Sequence, residues 1–244
     1  MMNVLSISNS FGVDGTRYLH QIARADGVKL NVATLFIGGC VLERHYRNML
    51  AENRNYTLYF NGHNTEFFVS IQEALLSRAW DVVVLQQGSV HSAKPECYEP
   101  YGSALAELVR ECVPHAKLMI QQTWAYPQGS DRLLNLTPYT DSGDMFRDIE
   151  KAYALFAENI QADGIIPSGH LVQQLQAKGL SIETVYRDSL HVSLGLGRYA
   201  LGLLWYRLLT GKSVSENTFC DFDTPIDPAH IALAKTLVDD YRTL

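Results

Sequence analysis

The residues Asn3-Val4-Leu5-Ser6-Ile7-Ser8-Asn9-Ser10-Phe11-Gly12 form a short apolar run that stops at a polar, glycine-containing turn. The run predicts a strand over Asn3–Ser8, and the turn predicts a helix opening just past it, so the stretch reads as the junction of a β-α unit. Backbone N–H groups at such a helix start point outward and can stabilise an anion. Ser10 stands there, placed to attack a bound group. Serine is also a favoured N-cap, and on this local feature alone the cap is the better reading.

The same alternation of strand and helix repeats along the chain. A helical segment around Tyr18–Ala25 leads to a second strand over Lys29–Phe36, and Asp81–Gln86 (DVVVLQ) reads as a buried strand. Tyr98–Cys112 predicts a helix, Lys117–Thr123 a strand ahead of the loop Trp124–Tyr139, Phe146–Ala162 a long helix, and Gly164–Pro167 a short further strand. Tyr56–Asn61 and Glu66–Ser70 flank Gly62-His63-Asn64 and predict an antiparallel hairpin inserted between the second and third parallel strands. Leu194–Leu209 and Pro228–Tyr241 read as helices. The expected fold class is α/β, three layers on a parallel sheet of about five strands. No repeat, low-complexity tract or polar linker divides residues 1–244, so one domain is expected.

Composition narrows the function. A chain of 244 residues, 47% hydrophobic and 19% charged, can bury one sizeable core. A net charge of −6 with spread-out Lys and Arg argues against a nucleic-acid partner, which needs a concentrated basic surface. No apolar run approaches the roughly 20 residues of a membrane span, and no signal peptide is evident, so no membrane partner is expected. Cys40, Cys97, Cys112 and Cys220 show no CxxC spacing, and His63, His91 and His115 no ligand spacing. They are read as a cytoplasmic protein's thiols and ordinary histidines, with no metal site and no cofactor.

In an open parallel sheet the reactive groups belong on loops at the carboxyl ends of strands. Near the other end of the chain, Asp188-Ser189-Leu190-His191 places a carboxylate three residues before an imidazole, just ahead of the predicted helix at Leu194. That spacing lets Asp188 orient one ring nitrogen while the other faces out as a general base. A lone DxxH reads equally as a surface ion pair. Paired with an early serine, it supplies the base that a weak nucleophile needs.

The order of an early serine, a glycine pair after strand two, a polar cluster after a middle strand and a late DxxH resembles the SGNH (GDSL-like) hydrolase family over nearly the whole chain. The block SNSFGVDGTRYL, residues 8–19, is similar to a bacterial branch of that family carried as a domain of unknown function. The resemblance implies a flavodoxin-like sheet, Ser10 as nucleophile, and Asp188 and His191 as its activating pair. In Ile37-Gly38-Gly39-Cys40, Gly39 matches the family glycine whose amide binds the oxyanion, and Cys40 reads as pocket lining. The third block departs from the family: Gln86-Gln87-Gly88-Ser89-Val90 puts valine where the family has an oxyanion-binding Asn. Valine has no N–H to give. Gln87, past the apolar run, is the expected replacement, completing an oxyanion hole with the amides of Ser10 and Gly39.

Trp124 and Tyr126 follow a strand and are candidates for a wall against a sugar ring or acyl group. His170, at another strand end, is left unassigned. The function expected from the resemblance is a serine esterase acting on small acyl esters, acetyl groups on carbohydrates foremost, with a small-molecule ester substrate as its partner. The rivals are a lysophospholipase or thioesterase, and a catalytically silent ligand-binding module. Oligomeric state is not legible.

Overall fold

The computed structural model of the protein describes residues 1–241. Strands β1 (Met2–Ser8), β2 (Leu30–Phe36), β3 (Tyr56–Phe60), β4 (His63–Val69), β5 (Val82–Leu85), β6 (Lys117–Gln121) and β7 (Gly164–Ile166) form one sheet in the order β4-β3-β2-β1-β5-β6-β7. The five from β2 to β7 across the sheet run parallel, and β3 and β4 extend it antiparallel beyond β2. The flavodoxin-like sheet with an added hairpin is therefore present. The hairpin turns at Asn61-Gly62, both at positive φ (51° and 85°), a pair suited to a two-residue turn, so β4 begins at His63, earlier than expected.

The pleat sorts the core into two halves. Val4, Val32, Val82, Val84, Met119 and Ile166 face one helix layer, while Leu5, Leu35, Val83, Leu85, Leu118 and Ile120 face the other. The first layer contains α1 (Ser10–Thr16) and α2 (Leu19–Ala25). The second contains α3 (Leu42–Leu50), α4 (Ile71–Leu76), α5 (Tyr101–Cys112), a short α6 (Asp131–Leu136) and α7 (Ser142–Asn159). Past β7 the chain returns to the first layer through α8 (Ser168–Ala177), α9 (Ile182–Val185), α10 (Leu196–Thr210) and α11 (Pro228–Asp239). Helix α10 is apolar nearly all round and buried, as expected of an element enclosed by neighbours.

Two features of this packing position the site. β1 lies between β2 and β5, and the chain leaves β1 first to one side and later to the other, so its carboxyl end opens on the topological crevice. On its α1 face β1 carries only Ser6 and Ser8 beyond Val4, and a Cβ on Gly12 would lie 1.9 Å from Ser8 Oγ. Small residues on both partners bring the first turn of α1 down onto the strand. Among the described residues no helix is long and apolar enough to cross a membrane.

Candidate active site

Ser10 is the first residue of α1. Asn9 caps the helix, its Oδ1 accepting from the Phe11 amide at 3.0 Å, so the serine itself is not the cap. The Asn9 side chain also donates to the Cys40 carbonyl at 3.0 Å, tying the Ser10 turn to the loop after β2. That loop is a turn closed by the Cys40 amide on the Ile37 carbonyl, with exposed Gly39 at φ 62°, a conformation that favours glycine. At the helix start Ser10 has an amide with no intrahelical acceptor. Among the described residues, Gly39 N–H has none either.

The late DxxH folds back onto Ser10. A β-bridge between Tyr186 and Val192 and a bond from the Arg187 amide to the His191 carbonyl close the segment into a narrow loop. Asp188 Oδ1 accepts from the Leu190 and His191 amides, each at 2.7 Å, while Oδ2 faces His191 Nδ1 at 2.8 Å. The carboxylate can only accept, so it fixes the proton on Nδ1 and leaves Nε2 as an acceptor. Nε2 lies 2.9 Å from Ser10 Oγ, and the serine hydroxyl donates to it. Burial alone would raise the Asp188 pKa, but its hydrogen bonds from the two amides and the imidazole outweigh that and hold it below the ordinary carboxylate range. The three groups thus have the geometry of a nucleophile, base and orienting acid.

Two expectations for this site need correction. Gln87 does not face the site: its side chain is fully buried, Oε1 accepting from the Leu42 and Gly88 amides and Nε2 donating to the Cys97 carbonyl. The reason is the pleat. Gln87 continues the Val83 and Leu85 face, toward α3 and α5, whereas Gln86 continues the Val84 face, where its Oε1 lies 3.4 Å from the Asn9 amide. Gln86 is itself fully buried, so neither glutamine side chain is exposed to the crevice, which leaves the Ser10 and Gly39 amides of the three donors expected. Trp124 forms no open wall: it is buried, stacked on Phe11 with ring centroids 3.8 Å apart, and donates to the Leu190 carbonyl at 2.9 Å. It packs against both the Ser10 turn and the loop that carries His191.

Tyr126 does line a cavity, its hydroxyl donating to Ser89 Oγ at 3.2 Å. Cys40 is fully buried in the core and not exposed as pocket lining; burial pushes its thiol up to about 12, far from a nucleophilic thiolate. His170 bonds the Tyr241 hydroxyl at 2.8 Å, away from this loop.

One part of the site escaped the sequence. Asp14, one turn after Ser10 and completely buried, accepts from Arg187 Nη1 at 3.0 Å and from Arg198 Nε at 2.8 Å. Arg187 also donates to the Val192 carbonyl, and Arg198 and Arg17 converge on Asp223. This ionic cluster fastens the serine helix to the loop that carries His191. The signal that would have found it is an acid four residues past the serine paired with an arginine just before the DxxH.

A family model described as a domain of unknown function (DUF4886) matches residues 3–238. None of the curated proteins compared matches the chain. Among solved structures, a DUF4886 family protein from Bacteroides uniformis is 31% identical, with 98% of this chain and 93% of that one covered and a TM-score of 0.89. A proposed SGNH hydrolase from Slackia heliotrinireducens is 24% identical over 85% of this chain and 98% of its own, with a TM-score of 0.62. The psychrotrophic esterase EstA from Pseudoalteromonas sp. is 12% identical over 84% and 92%, with a TM-score of 0.52. The last two are likenesses of fold.

Proposed function

The chain belongs to the DUF4886 family, and from that footing we propose that it is a serine hydrolase that cleaves small acyl esters. The observation that carries this reading is the unbroken line from Asp188 Oδ2 through His191 to Ser10 Oγ, with contacts of 2.8 and 2.9 Å. His191 takes the hydroxyl proton as Ser10 Oγ bonds to the ester carbonyl carbon. Asp188 holds the tautomer and stabilises the imidazolium, and the Ser10 and Gly39 amides receive the oxyanion. Collapse expels the alcohol, protonated by His191. Water, activated by the same imidazole, then releases the acid and restores the serine.

Acetyl esters of carbohydrates are the substrates to test first, because the resemblance to SGNH hydrolases supports them. A fluorophosphonate probe should label the parent protein and spare Ser10→Ala, and hydrolysis screened over acyl chain length and acetylated sugars sets the preference. Equal labelling of both proteins would refute the assignment. A second reading, a catalytically silent ligand-binding module, draws on the burial of Gln87, which leaves no side-chain amide in place of the family Asn. The same labelling separates the two.

A further inference from the structure

On the loops that follow β6 and β5, the neighbour of β1, lies a cavity of about 400 Å3, within the range of small-molecule sites, whose walls include Tyr126, Val90, Leu136, Tyr139 and Met145. Two of its wall residues, Ser89 and Tyr126, sit on loops tied to the segments that carry Ser10 and His191. Ser89 follows Gly88, where a Cβ would sit 2.9 Å from the Cys40 carbonyl oxygen, and that oxygen accepts from Asn9, the neighbour of Ser10. Tyr126 stands two residues past Trp124, which holds Phe11 and Leu190 on either side of the Ser10–His191 contact.

Two cations stand in this mainly apolar lining, beside the hydroxyls of Ser89, Tyr126, Thr137 and Tyr139: Arg132, partly buried on α6, and Lys94, exposed. Among the described residues neither makes an ion pair or a side-chain hydrogen bond, while every other arginine that is partly buried is engaged by an acid or a carbonyl. The nearby acids do not serve: Asp148 is held by Tyr139 and Lys151, and Asp131 and Glu96 are exposed. A guanidinium partly withdrawn from water and without a partner gains from an anion, and the attraction strengthens as a bound ligand displaces water.

We propose that this cavity receives the non-reacting part of an ester that carries a carboxylate on an apolar body, with Arg132 holding the charge and Lys94 adding to it. The inference rests on the ester-hydrolase reading and narrows its substrate class. The charge could sit on either half of the ester, and paired substrates tell which. On the alcohol side these are 4-acetoxybenzoate and its neutral methyl ester; on the acyl side, 4-nitrophenyl hydrogen glutarate and neutral 4-nitrophenyl butyrate.

The test is the ratio of kcat/KM for the charged substrate to that for the neutral one, in the parent protein and in Arg132→Gln. Comparing one substrate across two proteins cancels its intrinsic reactivity. The ratio should fall about tenfold or more in at least one pair, the effect of a lost charge-assisted hydrogen bond, and the responding pair identifies the half that enters the cavity. Ratios within about twofold of the parent in both pairs overturn the proposal. Direct titration with 4-phenylbutyrate and with neutral 4-phenylbutanamide keeps the two readings apart. If no ester is cleaved, the hydrolase reading fails, and the cavity proposal then stands or falls on whether the parent binds the acid in preference to the amide and Arg132→Gln loses that preference.

Discussion

Replacing Asp14 with Asn keeps the shape of a buried side chain and removes its charge. In the parent, one carboxylate answers Arg187 through both oxygens, at 3.1 and 3.0 Å, and Arg198 at 2.8 Å. The amide keeps one acceptor oxygen and turns an NH2 toward a guanidinium. Breaking a buried ion pair from one side costs about 3–5 kcal/mol. The low end applies here, because Arg198 retains Asp223, Arg187 retains the Val192 carbonyl, and the arginine side chains are 15% and 26% exposed. For a chain of this size about 3 kcal/mol corresponds to a fall in Tm of about 6–12 °C. Thermal unfolding followed by circular dichroism measures it. Ester turnover well below the transition should fall as well, chiefly in kcat, because the cluster sets how α1 meets the histidine loop. A Tm within about 2 °C of the parent together with unchanged kcat would show that the cluster is worth no more than a surface pair and does not position the triad.

Two further expectations concern the same neighbourhood. The carboxyl of Asp188 is held below the ordinary carboxylate range, so its contribution to folding is complete above about pH 4 and is lost as the pH falls through its lowered value. The Tm difference between the parent and Asp188→Asn should therefore shrink from pH 6 to pH 3, and a difference constant with pH contradicts the assignment. Gln87→Ala should act on stability more than on the chemical step, since it strands the Leu42 and Gly88 amides and the Cys97 carbonyl. A loss of about 2–3 kcal/mol in urea unfolding is expected, and a large kcat loss at unchanged stability would return Gln87 to the oxyanion hole.

The strands and the triad were legible because each rests on local pattern. DVVVLQ cannot be other than buried, and Ser10 and the DxxH each sit beside a strong boundary signal. What was missed depends on direction. Whether Gln86 or Gln87 faces α1 follows from the parity of the pleat counted from Val82, and the apolar run gives no hint of which face meets which helix layer. Trp124 reads as an aromatic on a loop at a strand end, a place where binding residues gather. Its burial follows from Phe11, 113 positions earlier, offering a parallel ring. The Asp14 cluster joins residues 173 and 184 positions apart, and no local spacing encodes such a meeting. Short helices such as α4, with its Ser70–Glu73 capping box, were overlooked because six residues hold too little periodicity.

The partners Ser10 and His191 are separated by 181 positions. During synthesis the serine leaves the ribosome first, and at roughly 5–20 residues per second the histidine follows about 10–40 s later. Through that interval the nascent chain carries its hydroxyl with no base beside it. On the proposed reading, a fragment that ends short of Asp188-Ser189-Leu190-His191 carries Ser10 without the base that activates it. On that reading, an activity-based label counts molecules in which the loop carrying His191 has closed onto Ser10, and passes over those in which it has not.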